Sequence, residues 1–544
     1  MSARHGQLSG LDPRREWWRG ACIYQIYPRS FADSNGDGIG DLPGITAHLP
    51  YVASLGVDAI WLCPFFTSPM RDFGYDVADY CGVDPIFGTL EDFDRLLESA
   101  HTLGLRVIID QVYSHTSDQH PWFRESRADR TNPKADWYVW ADPKADGSPP
   151  SNWQSVFGGP AWAWDARRGQ YYLHNFLTEQ PDLNVHDVAV QDALLEVARF
   201  WLERGVDGFR VDAIDYAMHD PQLTDNPPMP ATGRTRSRPL DFQQPRNNKS
   251  HPDIVRFIER VRALTDSFDG RFTVAEVGGE DCEPAMKSFT SGARRFNTAY
   301  GFNFLYADTL TPQLVRAATE AWPADGNTGW PSWAFSNHDA PRAVSRWAAL
   351  ADRRACARAA LLLLVTLRGN IFLYQGEELG LPQAQLALAD LKDPEAISNW
   401  PLILGRDGAR TPMPWVGEAP HAGFSSVRPW LPVPEAHVAL AVDRQESEPN
   451  SQLALTRHLL ALRNRVPALR IGGLRIIDAG AEVLLFERVH ETEELLCAFN
   501  FGRRAHTLPS PPTGKWSVLE AVGGASAWTL PSWSGLIAQR LRLP

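Results

Sequence analysis

Four acidic residues follow short apolar runs that read as strand ends: Asp110 after Val107-Ile108-Ile109, Asp212 after Gly208-Phe209-Arg210-Val211, Glu276 after Thr273-Val274-Ala275, and Asp339 in Ser336-Asn337-His338-Asp339. One acid after a strand is commonplace and serves equally as a cap or a surface charge. Four of them on one closed parallel barrel would converge at a single mouth, because the C-terminal ends of barrel strands carry the site. Paired carboxylates there suit cleavage of a glycosidic bond, one as nucleophile and one as proton donor. At the roughly 5 Å typical of such pairs, two charges repel by about 3 kcal/mol at an effective dielectric near 20, so the two acids should titrate apart. Arg210 stands two residues before Asp212, on the same face of its strand, and would keep Asp212 ionised while Glu276 holds the proton. An Arg210–Asp212 salt bridge with no part in chemistry has the same spacing.

The acids need a scaffold, and short β-branched runs alternating with amphipathic stretches supply one of βα units around a parallel sheet. The clearest strands are expected at Ile23–Tyr27, Ala59–Leu62, Arg106–Ile109, Gly208–Val211, Phe272–Ala275, Trp333–Phe335 and Ile371–Leu373, with a weaker one near Gly301–Leu305. Eight such strands predict an α/β fold, a (β/α)8 TIM barrel formed by residues 1–113 and 187–470. Residues 114–186, rich in Trp, Tyr, Gly and Pro, are too long for a βα loop and should form an inserted subdomain. A second irregular insertion covers about 381–420, and Ser451–Val466 has helical periodicity. From Ile471 to residue 544 the alternation of Val483, Leu485 and Glu487, then Leu495, Cys497 and Phe499, predicts a C-terminal antiparallel β domain.

Composition bounds the partners. The 544 residues are 44% hydrophobic and 22% charged, which fits a large globular core and excludes disorder or fibre. A formal charge of -12 argues against nucleic acid or an anionic membrane as partner, since phosphate neutralisation needs a basic surface. Ala359–Leu367 is too short to span a bilayer and should be a buried helix. The N-terminus, with Arg4, His5, Arg14 and Arg15, has no apolar core of a secretory signal. Six scattered cysteines without CxxC spacing read as reduced core residues, so cytoplasm is the expected location.

Taken together, the motifs Tyr24-Gln25-Ile26-Tyr27-Pro28-Arg29-Ser30-Phe31, Asp110-Gln111-Val112-Tyr113-Ser114-His115, Gln180-Pro181-Asp182-Leu183-Asn184, Gly208-Phe209-Arg210-Val211-Asp212, Glu276-Val277 and Ser336-Asn337-His338-Asp339 resemble the α-amylase superfamily, glycoside hydrolase family 13. The resemblance covers nearly the whole chain and is narrowest with the α-glucosidase and oligo-1,6-glucosidase branch, a bacterial α-glucosyl transfer enzyme being a further candidate. It implies Asp212 as nucleophile, Glu276 as general acid and then base, and Asp339 as the carboxylate gripping the glucose hydroxyls. A retaining double displacement follows. His115 and His338 would hydrogen-bond the sugar, and Tyr75 would stack on it. Asp72 with Arg410 would clasp its terminal hydroxyl and enforce exo action. Phe157, Phe176 and Gln180 could line the pocket or equally pack the inserted subdomain. Ser114 stands where the family usually has Asn. Ala213, directly after the nucleophile, leans towards maltose-like α-1,4 bonds, and the Arg-rich loop of the branch's sucrose isomerases is absent.

The implied partners are therefore small α-glucosides, sucrose among them, and hydroxyl acceptors. A dedicated α-glucosyltransferase is the competing reading, with 227–248 expected to overhang the acceptor side. A catalytically silent relative would have lost the carboxylates that are present here. Finally, Asp33-Ser34-Asn35-Gly36-Asp37-Gly38-Ile39-Gly40-Asp41 offers oxygens at alternate positions, suited to a hard cation, but Gly44 stands where an EF-hand has its Glu. By the resemblance, Asp33, Asn35, Asp37, the Ile39 carbonyl and Asp41 would hold one structural Ca²⁺. A metal-free turn has the same composition.

Overall fold

Eight short strands hydrogen-bond in sequence order to close a parallel barrel in the computed structural model. They are β1 (Cys22–Ile26), β2 (Ala59–Leu62), β3 (Arg106–Val112), β4 (Gly208–Asp212), β5 (Phe272–Val277), β6 (Thr298–Gly301), β7 (Trp330–Ala334) and β8 (Asn370–Tyr374). The structure describes residues 15–231, 236, 238–279, 282–323, 329–349, 352–491, 493–508, 515–526 and 528–541. Arg4, His5 and Arg14, and residues 232–235 and 237 of the stretch 227–248, lie outside the described residues.

Nearly every barrel-strand residue is buried on both faces, as a sheet enclosed by helices requires. Gly208 opens β4 because a Cβ there would meet the Phe272 carbonyl oxygen of β5 at 2.3 Å. The sixth strand differs from expectation, running over Thr298–Gly301 rather than Gly301–Leu305. Phe304 and Leu305, whose apolarity suggested a strand, are buried from a turn instead, and the polar Thr298 faces a partner hydroxyl on Ser332.

The surrounding helices follow their apolar periodicity. In α1 (Leu90–Thr102), Phe93, Leu96, Leu97 and Ala100 are buried, and Thr89 with Asp92 forms a capping box at its start. In α2 (Ile254–Asp266), Ile254, Phe257, Ile258, Val261 and Leu264 face inward. Each such side chain contributes about 1.5–3 kcal/mol when fully buried. The apolar run at Ala359–Leu367 lies in and just beyond α3 (Arg353–Thr366), and α4 (Gln452–Arg465) begins at the Ser451 cap. No helix among the described residues is long and apolar enough to cross a membrane.

Residues between β3 and β4 form a short helix, Pro121–Ser126, and a three-stranded antiparallel sheet around Trp153, Trp162 and Leu173. Past α4, β9 (Gly473–Ala479), β10 (Val483–His490), β11 (Glu493–Asn500), β12 (Lys515–Val522) and β13 (Ser534–Leu541) make one antiparallel sheet in the order β9-β10-β11-β13-β12. Its Leu495, Cys497 and Phe499 join the main core, while Leu496 and Ala498 enter a separate cluster, so both faces are covered. The six cysteines are free thiols.

Candidate active site

Arg210 organises the barrel mouth. Its Nη1 donates to Asp110 Oδ1 and to Asp212 Oδ1, each at 2.6 Å, and its Nη2 lies 2.6 Å from Glu276 Oε2. Register explains the convergence: Asp110 on β3 and Val274 on β5 both pair with Arg210 on β4, so the three acids flank one guanidinium from neighbouring strands. Since both nitrogens belong to one planar fork, the Asp212 and Glu276 oxygens can be no more than roughly 7.5 Å apart. Tyr300 on β6 accepts from Arg210 Nε at 3.0 Å and donates to Glu276 Oε1 at 3.2 Å. The Ala213 amide donates to Glu276 Oε2 at 3.3 Å from a left-handed backbone, φ 35°, a conformation disfavoured for a residue with a Cβ.

Burial pushes Glu276 up to about 8, against Arg210 and with the repulsion of Asp212 and Asp339. Burial likewise lifts Asp212 to about 7 although Arg210 opposes it, and Asp110 to about 6. Burial thus favours the protonated form of all three acids, and they share one cation between them. Arg210 opposes the protonation of Asp212, but one cation shared by three buried carboxylates does not cancel the desolvation of each. Asp339 is the contrast. Burial would raise it, but the cations Arg410 and Arg406, with the His338 imidazole at 3.1 Å, hold it well below the usual carboxylate range.

His338 is neutral, its imidazolium disfavoured by complete burial. The Gln25 amide donates to its Nδ1 at 2.8 Å, which leaves the proton on Nε2, 2.6 Å from the Tyr75 hydroxyl and 3.1 Å from Asp339 Oδ2. The Tyr75 ring stacks on His338 at 5.4 Å. His115 is also neutral, lowered to about 4 by burial. Ser114 Oγ lies 2.9 Å from its Nδ1, so the serine orients the ring. Gln180 Nε2 reaches His115 and donates to Asp72 Oδ2, both at 3.1 Å. Phe176 sits 5.0 Å from His115 and 5.9 Å from Phe157.

Asp72 and Arg410, expected to clasp one terminal hydroxyl between them, each take another ion-pair partner. Arg406 supplies the cation, its Nη2 2.7 Å from Asp72 Oδ1 and 2.8 Å from Asp393 Oδ1, with its guanidinium 4.9 Å from the centre of Phe157. Arg410 instead bonds Asp339 Oδ1 at 2.7 Å and the His338 carbonyl at 2.8 Å. The two arginines bracket a single turn, Asp407–Ala409, in the insertion after β8. A second arginine four residues before Arg410 was the available signal for Arg406; Asp393 and Tyr300 had none.

The Asp33–Asp41 loop stands apart. Asp33 Oδ1 accepts from Asn35 N and Gly36 N and its Oδ2 from Gly38 N, while Asn35 and Asp37 each accept the amide two residues on. Asp41 accepts from Ser34 and from Gly44 N at a helix start. The oxygen donors suit a hard cation in kind.

The family description that matches residues 25–472 is the catalytic domain of α-amylase, and residues 469–537 match a domain of unknown function, DUF3459. A probable α-glucosidase of Rhizobium meliloti is 51% identical, over 99% of this chain and 100% of the relative. An oligo-1,6-glucosidase of Heyndrickxia coagulans is 37% identical, over 93% and 95% of the two chains. The crystal structure of an α-glucosyl transfer enzyme, XgtA, superposes with a TM-score of 0.92 at 50% identity, over 96% of this chain and 99% of that one. A closed barrel with its carboxylates gathered at the strand ends, and matched over this span, belongs to the α-amylase family, and the chain is a glycoside hydrolase of family 13.

Proposed function

We propose that the chain is a retaining, exo-acting α-glucosidase of small α-glucosides, with maltose-like α-1,4 bonds preferred and sucrose accepted. The observation that carries this is the single Arg210 guanidinium flanked by Asp212 and Glu276, with Arg406 ion-paired to both Asp72 and Asp339. The separation ceiling set by Arg210 admits the roughly 5 Å of a double displacement. Asp212 attacks the anomeric carbon while Glu276 protonates the departing oxygen, forming a glucosyl ester. Glu276, now a carboxylate, takes a proton from the incoming hydroxyl, the sugar carbon is attacked from the side the leaving group vacated, and Asp212 departs, so the α configuration returns. Asp72 and Asp339, each bound to an arginine, present oxygens to the far hydroxyls of one glucose, and His115 and His338, both neutral, offer imidazole nitrogens. Exo action in this reading requires the charged Asp72–Arg406 pair to close the far side of the pocket against a longer chain.

Water or another hydroxyl can resolve the ester, and transfer to sugars, alcohols or phenols accompanies hydrolysis in this reading. A dedicated α-glucosyltransferase is the second reading, favoured by the 50% identity to an α-glucosyl transfer enzyme. A structural Ca²⁺ on Asp33, Asn35, Asp37, the Ile39 carbonyl and Asp41, far from the chemistry, and a cytoplasmic location complete the proposal. Products from maltose, isomaltose, sucrose and trehalose, measured for wild type, Asp212→Ala and Glu276→Gln with and without a phenol acceptor, test it. Hydrolysis of maltose with loss in both variants is expected. Full turnover by Asp212→Ala would remove the nucleophile, and transfer without hydrolysis would favour the second reading.

A further inference from the structure

A group of potential metal ligands lies outside the carboxylate mouth. His186 ends the inserted subdomain, and His251 and Asp253 immediately precede α2; one ligand atom from each falls within 4.8 Å of the others. The local hydrogen bonding leaves His186 Nδ1 and the Asp253 carboxylate available and engages His251 Nδ1 only weakly. His186 Nε2 lies 2.8 Å from the His219 carbonyl oxygen. Because a carbonyl only accepts, Nε2 carries the proton and Nδ1 keeps its lone pair, the arrangement that orients a metal-binding histidine. Asp253 occupies the cap position of α2, yet its carboxylate makes no capping bond; Oδ2 lies 3.8 Å from His251 Nδ1. The hydrogen bond His251 Nδ1 accepts from the Asp253 amide is long, at 3.3 Å. The three side chains are neither fully buried nor fully exposed, so an ion could reach them and still be partly shielded.

We propose that His186, His251 and Asp253 bind one first-row transition-metal dication of the Zn²⁺, Ni²⁺ or Cu²⁺ type. Two imidazole nitrogens and one carboxylate oxygen form a borderline donor set that these ions accept and that Ca²⁺ and Mg²⁺ do not favour. Three protein ligands leave a fourth position for water. Tetrahedral bonds of about 2.1 Å set ligands roughly 3.4 Å apart, so the three ligand atoms, within 4.8 Å of one another, must draw together by up to roughly 1.4 Å. The ion would join three segments: the end of the inserted subdomain, the chain following Asp212 through the His219 carbonyl, and the start of α2. Lys249, two residues before His251, is 3.0 Å from Asp215 Oδ2 and donates to the Gly278 carbonyl at 2.6 Å, which ties the same segment to the turns just beyond Asp212 and Glu276. A bound ion would brace that rim.

The inference does not depend on the reading of the carboxylate mouth, because its test reads metal binding and melting. Tag-free full-length protein, held in excess Ca²⁺ to saturate the Asp33–Asp41 loop, is titrated with Zn²⁺ by calorimetry, and with Co²⁺ by visible absorption. One ion per chain is expected, with a higher Tm. His251→Ala and Asp253→Asn should each weaken Zn²⁺ at least about tenfold and abolish the Tm rise, while His421→Ala, on the surface elsewhere, should change neither. Asp253→Asn preserves shape, so it decides the matter if His251→Ala misfolds. No saturable binding at micromolar Zn²⁺, or stoichiometric binding that survives both substitutions, overturns the proposal.

Discussion

Replacing Arg210 by Met leaves three buried carboxylates around an apolar side chain. Each was 2.6 Å from a guanidinium nitrogen. Taking about 4 Å between charge centres and an effective dielectric near 20, each attraction is worth about 4 kcal/mol, a factor of roughly a thousand in acidity. Asp212, already lifted to about 7, would then be almost entirely protonated at neutral pH and unable to attack. Mutual neutralisation of the three acids relieves part of this, so the expected fall in kcat/KM at pH 7 is at least about a hundredfold, with the acid limb of the profile moving two or more pH units upward. Arg210→Lys keeps the charge but loses the fork and should fall in between. The assay is kcat/KM for 4-nitrophenyl α-glucoside from pH 5 to 10, with circular dichroism confirming the fold. A Met variant that loses less than tenfold, with its acid limb unmoved, would refute the electrostatic role assigned to Arg210.

Glu276→Gln should cut maltose turnover by about a thousandfold yet raise stability at alkaline pH. Burial pushes the native carboxyl from its ordinary 4.5 up to about 8, so between those values the folded state binds more protons than the unfolded one and wild-type stability falls as pH rises. The Gln variant escapes that loss, and its Tm advantage should grow by about 2 °C between pH 5 and pH 8; a constant difference would count against the raised pKa. Arg406→Lys should raise KM for maltose about tenfold or more, because an ammonium cannot hold Asp72 and Asp393 in the same fork; an unchanged KM would remove Arg406 from the pocket. Returning Ca²⁺ to chelator-treated protein should raise Tm, and Asp37→Ala should erase the effect; identical melting curves would mean that the loop is closed by its own amides.

The primary structure already determines the repeating βα pattern, the acids at the strand ends and the helices with apolar faces. These are encoded locally, in a period of two or 3.6 and in a cap such as Ser451 or Thr89. The sixth strand was misplaced for the same reason: Thr298-Ala299-Tyr300-Gly301 carries little local signal and is held as a strand by β5 and β7. Only the tertiary structure decides that Arg210 serves three carboxylates, that Arg406 rather than Arg410 meets Asp72, and that Asp212 rises to about 7. Register across the barrel and the path of a long insertion bring together residues up to hundreds of positions apart. Desolvation depends on everything that surrounds a charge, and no local stretch of sequence contains it.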